Sequence, residues 1–190
     1  MQREGMRHIE FYTIPALLLV LTLMLGCSND DSTGSGETAV DRVWVEKVTA
    51  HSGESDVRVG IQFENLKPIS AIEAPLKISG SGFRVDSVSF VGGRLIDPDI
   101  LIGTIDTVEQ TVVIAASFYD PQNHYLESGK GLLANIFFTL LSESAGQIIE
   151  IDSTTVSANA TFNWLRFIDN TSAMQEIIPE FDAGEISVLY

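Results

Sequence analysis

Histidine is the residue type that serves most often as a catalytic base, and two of the three histidines of this chain lie outside its N-terminal segment. His51 and His124 lie in polar stretches, and no nucleophile signature such as Gly-x-Ser-x-Gly stands near either one. Their spacing also lacks the His-x-x-x-His or cysteine pattern of a structural zinc site. We therefore predict surface histidines, with no catalytic residue, no metal site and no cofactor. A hydrolase would require a deep pocket in which a carboxylate meets His51 or His124.

Paired carboxylates are the second group of residues that could do chemistry. Asp97 with Asp99, and Glu180 with Asp182, carry the oxygen atoms used in acid–base catalysis or calcium binding, but neither pair forms an EF-hand pattern. The chain has 26 acidic and 11 basic residues and a formal net charge of -15, so we interpret both pairs as solvated loop charges. A charge of this size repels nucleic acid and anionic lipid headgroups, and we predict no nucleic-acid partner.

Aromatic side chains are the third group, because sugar rings stack their apolar C–H surfaces on exposed aromatic faces. The candidates for such a binding site are Trp44, Tyr119, Tyr125, Trp164 and Phe167. Trp44 is out of phase with Val43 and Val45, and Tyr119 is out of phase with Phe118, which favours an outward orientation for both rings. The alternative interpretation of each ring is packing at the edge of a core.

Cys27 is the only cysteine in the chain, and it follows a segment with the layout of a secretory signal. Arg3 and Arg7 precede an apolar run, residues 14–25, that is interrupted only by Thr22. As a helix this run would reach roughly 18 Å, against about 30 Å of bilayer hydrocarbon, so it is too short to span a membrane. Because the cysteine is single, the chain has no internal disulfide and must be stabilised by an apolar core.

The tetrapeptide Met24-Leu25-Gly26-Cys27 resembles the lipobox of bacterial lipoproteins. This resemblance implies cleavage before Cys27 and attachment of lipid to its thiol, which makes Cys27 the lipidation site. We predict a signal peptide at residues 1–26, a flexible acidic tether at 27–41 and one folded domain at 42–190. The expected location is the cell envelope, with the lipid anchor in the outer membrane, because Ser28 stands where a retention signal would place Asp.

The folded part has the sequence pattern of β-strands. Apolar residues alternate at Val57, Val59, Ile61 and Phe63, and similar runs recur between clusters of Gly, Pro, Asn, Asp and Ser. No window of 11 residues or more holds an apolar period of 3.6 residues, so helix should be scarce. We predict an all-β protein, a two-sheet antiparallel sandwich of eight or nine strands.

Residues 129–140, Gly-Lys-Gly-Leu-Leu-Ala-Asn-Ile-Phe-Phe-Thr-Leu, resemble the most recognisable segment of cohesin domains. There a glycine is followed by Leu-Ala-x-Ile-x-Phe and a further apolar strand residue. An early strand at 57–65, a Pro-Ile-Ser-Ala-Ile segment at 68–72 and an Ala-Gly-Glu-Ile-Ser-Val segment at 183–188 follow the same family order. The resemblance implies a jelly-roll sandwich over nearly the whole domain.

Cohesins bind dockerin modules of polysaccharide-degrading assemblies, and their fold is shared with some cellulose-binding modules. The resemblance therefore implies recognition of a dockerin-like protein module or of a polysaccharide, and it implies no catalysis. Our leading hypothesis is a lipid-anchored binding module that uses one sheet face and the adjacent loops. The alternative is a structural or assembly lipoprotein that packs against another envelope protein.

Overall fold

The strands form where apolar side chains alternate along the chain. A computed structural model describes residues 39–156 and 164–190. In β3, for example, Val57, Val59, Ile61 and Phe63 are buried while Arg58 is exposed. The strands are β1 Arg42–Val45, β2 Val48–His51, β3 Val57–Asn65, β4 Ile69–Ser79, β5 Phe83–Ser89, β6 Ile100–Asp106, β7 Thr111–Ser117, β8 Gly129–Leu140, β9 Ile148–Ser153, β10 Arg166–Asp169, β11 Glu176–Ile177, β12 Glu180–Asp182 and β13 Gly184–Leu189.

The described residues contain 13 strands and one short 3₁₀ helix, Ser142–Ser144. The prediction of an all-β sandwich with little helix is confirmed, but the predicted number of eight or nine strands is too low. Five of the strands, β1, β2, β10, β11 and β12, have four residues or fewer, which is too short for alternation to be distinctive. Within the described residues no helix is long and apolar enough to cross a membrane.

Two sheets pack face to face. A five-stranded sheet has the order β12-β1-β3-β8-β5. An eight-stranded sheet has the order β11-β10-β4-β9-β13-β2, with β7 paired to β4 and β6 paired to β7. The predicted antiparallel pairing is confirmed for nine of the eleven strand pairs among the described residues. The sheets are nevertheless mixed, because β1 pairs with β12 in parallel and β2 pairs with β13 in parallel.

The parallel pairs arise because two segments change sheets side by side. The first runs from β1 in one sheet to β2 in the other, and the second runs from β12 to β13 in the same sense. At the crossing, a Cβ atom on Gly184 would lie 2.5 Å from the Val45 side chain, so only glycine allows this approach. The crossing joins the two sheets without any disulfide.

The core lies between the inner faces of the two sheets. It contains large side chains from both layers, and Phe63 of β3 meets Phe167 of β10 edge to face at a centroid distance of 6.2 Å. The largest completely buried side chains are Phe63, Phe138, Phe167, Ile61, Ile69, Ile72, Leu76, Ile78, Ile114, Leu133, Ile136 and Leu140. This core holds the two sheets together, and the other face of each sheet points away from it.

Arg94 closes one end of this core. Its guanidinium carbon lies 4.7 Å from the Phe63 ring centroid, and Nη1 donates hydrogen bonds to Asn65 Oδ1 at 2.8 Å and to the Gly129 carbonyl at 2.6 Å. A Cβ atom on Gly131 would lie 2.7 Å from Arg94 Cδ. Gly131 therefore makes room for the Arg94 stem, and burial lowers the pKa of Arg94.

Candidate functional site

The outer face of the eight-stranded sheet is the candidate site, and the strand register places its side chains in rows. One row crosses β10, β4, β7 and β6 through Arg166, Glu73, Ala115 and Ile102. The flanking rows contain Ile168, Ala71, Ser117 and Ile100 on one side and Pro75, Val113 and Thr104 on the other. These eleven residues are called face 1 below.

Apart from the Arg166–Glu73 pair, the side chains in the middle of face 1 are small and apolar. Ala71, Pro75, Val113, Ala115 and Ile102 are buried or half-buried, although they point away from the core. They form a flat surface because none of them projects far from the sheet. Depletion of charge with an apolar centre is typical of the middle of a protein–protein interface.

Charged side chains border face 1 on the side of the β6–β7 turn. Lys77 lies opposite Thr111 of β7 and Asp152 of β9, and its ammonium donates a hydrogen bond to the Glu109 carbonyl. A shallow cavity of about 430 Å³ is lined there by Lys77, Asp106, Glu109, Thr111, Thr154, Thr155 and Val156. Polar side chains around an apolar centre are the arrangement of an interface rim.

An ion pair within face 1 joins β10 to β4. Arg166 Nη2 donates a hydrogen bond to Glu73 Oε1 at 2.7 Å, and Arg166 Nη1 lies 3.6 Å from Glu176 Oε2. Beside face 1, Trp164 Nε1 donates a hydrogen bond to Glu176 Oε1 at 2.6 Å, and the Arg166 guanidinium carbon lies 4.5 Å from the Trp164 ring centroid. The hydrogen bond with Glu73 raises the pKa of Arg166, so the guanidinium stays charged at any physiological pH.

Glu73 retains one unused acceptor. Glu73 is 6% exposed, and its buried Oε2 atom has no hydrogen-bond partner. A buried carboxylate oxygen without a donor is rare in native proteins. The hydrogen bonding of Glu73 within the described residues is therefore incomplete.

The five aromatic residues predicted from the sequence do not converge on one site. Tyr119 is 70% exposed and Trp164 is 38% exposed, whereas Trp44 and Tyr125 are half-buried. Phe167 is completely buried against Phe63, so the prediction that it offers a binding face is corrected. In β10, Phe167 points inward and lies opposite Ile72. The sequence of so short a strand does not show this phase. Trp44 lies on the outer face of the other sheet, and Tyr119 lies at the loop after β7.

The histidines lie outside face 1. His51 Nδ1 lies 3.1 Å from the carbonyl oxygen of Tyr190, and His124 Nδ1 lies 3.5 Å from Asp99 Oδ2 on the surface. The His124 ring also meets Phe118 edge to face at 4.9 Å. Among the described residues, no group of three or more His, Cys, Asp and Glu side chains is placed to hold a metal ion.

Sequence analysis does not predict the residues of face 1, although the sequence of β4 contains a signal for them. Ile72, Ala74 and Leu76 alternate along β4, so that the intervening Glu73 and Pro75 must point to the other face. A glutamate in the middle of an apolar strand is the signal that could have marked this face. Cys27, the signal peptide 1–26 and residues 27–38 of the tether lie outside the described residues, and these assignments stay predictions.

Known structures match this architecture over about four-fifths of the chain. No protein-family model and no curated protein sequence matches. The Coh-OlpA–Doc918 complex, a type I cohesin–dockerin complex from Clostridium thermocellum, aligns with a TM-score of 0.65 at 13% identity, over 80% of this chain and 100% of that chain. The chain has the cohesin fold. The expected sandwich is therefore confirmed as cohesin-like.

Two further cohesins agree with this assignment. The sixth cohesin of scaffoldin B from Acetivibrio cellulolyticus, in complex with a Cel5 dockerin, gives a TM-score of 0.64 at 16% identity, over 79% of this chain and 99% of that one. A non-cellulosomal cohesin from the archaeon Archaeoglobus fulgidus gives 0.55 at 12% identity, over 80% and 93%. At these identities the likeness to cohesins establishes the fold.

Proposed function

We propose that this chain is a non-catalytic binding module that holds a dockerin-type protein on face 1. The observation that carries the proposal is the cohesin fold, which solved structures show in complex with dockerins. Face 1 adds local support, because its apolar middle lies next to the unused acceptor of Glu73. A partner that covers the apolar middle and donates a hydrogen bond to Glu73 Oε2 would satisfy both features.

Face 1 fits a protein better than a polysaccharide. The side chains of its middle rows are small or branched aliphatic ones such as Ala71, Val113 and Ala115, and its eleven residues include no aromatic ring. Stacking of sugar rings depends on aromatic planes. Apolar side chains of a partner helix or loop, in contrast, pack well on a flat aliphatic surface.

The lipid anchor at Cys27 is the second part of the proposal. The lipobox-like Met24-Leu25-Gly26-Cys27 supports it, and the acidic tether would let the module stand away from the membrane. A lipid on Cys27 would place the module at the cell envelope, in our interpretation at the outer membrane. Expression of Cys27→Ala in a bacterial host should move the protein from the membrane fraction to the soluble or unprocessed fraction, whereas unchanged fractionation would exclude lipidation.

The partner class is tested by surface-binding measurements on the immobilised full chain. The panel consists of dockerin modules, including those of the matched complexes and those from the genome that encodes this chain. We expect saturable binding of at least one dockerin. Absence of binding across the whole panel, with a correctly folded chain, would exclude the dockerin-type partner.

A further inference from the structure

The outer face of the five-stranded sheet has a different chemistry from face 1. Strand register places Glu180, Arg42, Glu64 and Lys130 in one row across β12, β1, β3 and β8, with alternating charges. Arg42 Nε lies 3.6 Å from Glu64 Oε2 within this row. The row forms a charged border along one side of the face.

The next rows form a largely uncharged centre. Trp44 of β1 lies opposite Gln62 of β3, and Gln62 lies opposite Leu132 of β8. Neighbouring strands are about 4.8 Å apart, so these three side chains line a path across the sheet. The Arg42 guanidinium carbon lies 5.0 Å and Lys130 Nζ lies 4.8 Å from the Trp44 ring centroid, which holds the indole in place on the surface.

Asn135 supplies an unused acceptor beside this path. The residue is 6% exposed, and its buried Oδ1 atom has no hydrogen-bond partner. It lies opposite Gly60, and Glu46 occupies the space above Gly60, where a Cβ atom would lie 2.6 Å from the carboxylate. Glu46 accepts hydrogen bonds from Gln62 Nε2 at 2.8 Å and from the Gly60 amide at 3.2 Å. The centre thus combines an aromatic plane with hydrogen-bonding groups that surround it.

The geometry points to a second binding site, in which a neutral glycan chain crosses the five-stranded sheet over Trp44, Gln62 and Asn135. A pyranose presents an apolar C–H face to an indole and hydroxyl groups that both donate and accept hydrogen bonds. A sugar hydroxyl would supply the donor that Asn135 Oδ1 lacks. The site is independent of the dockerin proposal, because it lies on the opposite sheet.

Charge favours a neutral glycan over an acidic one. This face carries four basic and five acidic side chains, a net charge of -1, against -15 for the chain. They are Arg42, Arg58, Arg84, Lys130, Glu46, Glu64, Asp86, Glu180 and Asp182. A nearly balanced surface offers no field that would hold a polyanion, and the rest of the domain repels one.

Tryptophan fluorescence tests the site directly, because the chain has only two tryptophans. In the Trp164→Phe background Trp44 is the single reporter. The full chain is purified in a sugar-free zwitterionic detergent and titrated with cellohexaose, xylohexaose and mannohexaose, and with hexagalacturonate as the acidic arm. We expect a saturable change in Trp44 emission with at least one neutral hexasaccharide.

Variants identify the contacts. Asn135→Leu removes the unused acceptor at similar size, and in the reporter background it should weaken the neutral glycan by about tenfold or more while the protein stays folded. Trp44→Ala in the native background should abolish binding. Calorimetry measures this variant, because the fluorescent reporter is then lost. Tyr119→Ala removes an exposed ring elsewhere and should leave the affinity unchanged. Circular dichroism and thermal unfolding verify that each variant is folded.

Three results would overturn the proposal. The first is no response of Trp44 to any neutral hexasaccharide. The second is binding of hexagalacturonate alone, lost at about 0.5 M NaCl, where screening is strong, because recognition would then depend on charge. The third is a protein partner that Trp44→Ala releases while no glycan binds, which would assign this face to a protein.

Discussion

Arg94 shows how one side chain explains a sequence motif. The segment Gly129-Lys130-Gly131 opens the stretch that resembles cohesins, and glycine at such a position generally allows a close turn into a strand. The structure gives a different reason, because the stem of Arg94 occupies the space that a Gly131 side chain would fill. Arg94 is held there by carbonyl oxygens of Gly129 and Glu127 and by Asn65.

A double-mutant cycle measures this interaction. Gly131→Ala should lower the free energy of unfolding by about 1–3 kcal/mol, because overpacking forces Arg94 out of position. In the Arg94→Ala background the same substitution should cost less than about 0.5 kcal/mol, since the clash is gone. Urea denaturation of the four proteins gives the coupling energy. Equal costs in both backgrounds would show that Gly131 is required for another reason.

Asp169 fixes the loop between β10 and β11. Its Oδ1 atom accepts hydrogen bonds from the Thr171 hydroxyl at 2.7 Å and from the Gln175 amide at 2.9 Å. The Thr171 hydrogen bond is the main cause that lowers the pKa of Asp169 below its ordinary value. A lowered pKa in the folded state means that the ionised carboxylate stabilises the fold.

The lowered pKa of Asp169 predicts that its contribution to stability is lost in acid. The stabilisation is present above the unfolded-state pKa of about 3.9 and is lost as pH falls through the lower folded-state value. Asp169→Asn keeps a carbonyl acceptor that does not titrate. Between about pH 5 and about pH 3 the unfolding free energy of the variant should therefore fall less steeply than that of the native chain. Parallel slopes in denaturant titrations would contradict this role of Asp169.

Residue phase could be predicted from the sequence wherever a strand was long enough to show it. Trp44 is half-buried between the buried Val43 and Val45, and Tyr119 is exposed beside the buried Phe118, as their phases predict. Phe167 was placed wrongly because β10 has only four residues and alternation over four residues is not distinctive.

An ion pair joins the side chains of β10 and β4. Arg166 and Glu73 lie directly opposite each other in the ladder, and both are largely buried. Removal of one partner leaves a buried charge without compensation, whereas replacement of both partners by apolar residues is often tolerated.

We predict that the single variant is much less stable to unfolding than the double variant. Arg166→Met alone should lower the unfolding free energy by about 3 kcal/mol, because Glu73 is then buried and unpaired. Combining it with Glu73→Met should restore stability to within about 1 kcal/mol of the native value. Thermal and urea unfolding provide the measurements. A double variant that is as unstable as Arg166→Met would show that the packing of these side chains matters more than their charges.

Two strands show why the sequence reveals some elements incompletely. Phe83 with Val85 and Val88 with Phe90 form two apolar alternations, but β5 spans residues 83–89 with a register shift between Val85 and Ser87 that changes the phase. In β6, Ile100 and Ile102 lie in the outward rows, while Ile105 and the 41% exposed Leu101 lie in the rows of the inward-facing Val112 and Ala116. Apolar residues therefore occupy both sides of the strand, and no alternation exists. The apolar outer side of β6 belongs to face 1. The outward isoleucines that remove the alternation from the sequence of β6 are therefore part of the candidate site.

The sandwich formed by the described residues has two outer faces with different chemistry. Face 1 has a small apolar middle with one unused carboxylate oxygen, and the opposite face has an indole with an unused amide oxygen. The sandwich class and most long strands could be predicted from alternation, because burial between two sheets imposes a period of two. Of the site residues, Trp44 could be predicted from its outward phase. The residues of face 1 could not, because they face outward and the sequence of this chain does not contain the partner that they would contact.

Insertion of one charge into face 1 determines whether this surface binds the partner. Ala115 lies in its middle, so Ala115→Arg places a cation where a partner must pack, while Ser87→Arg adds the same charge to an exposed position on the opposite sheet. In surface-binding measurements with the dockerin that binds the full chain, Ala115→Arg should weaken binding by about a hundredfold or more and Ser87→Arg by less than about threefold. Undiminished binding by a folded Ala115→Arg chain would contradict the assignment of face 1 as the binding surface.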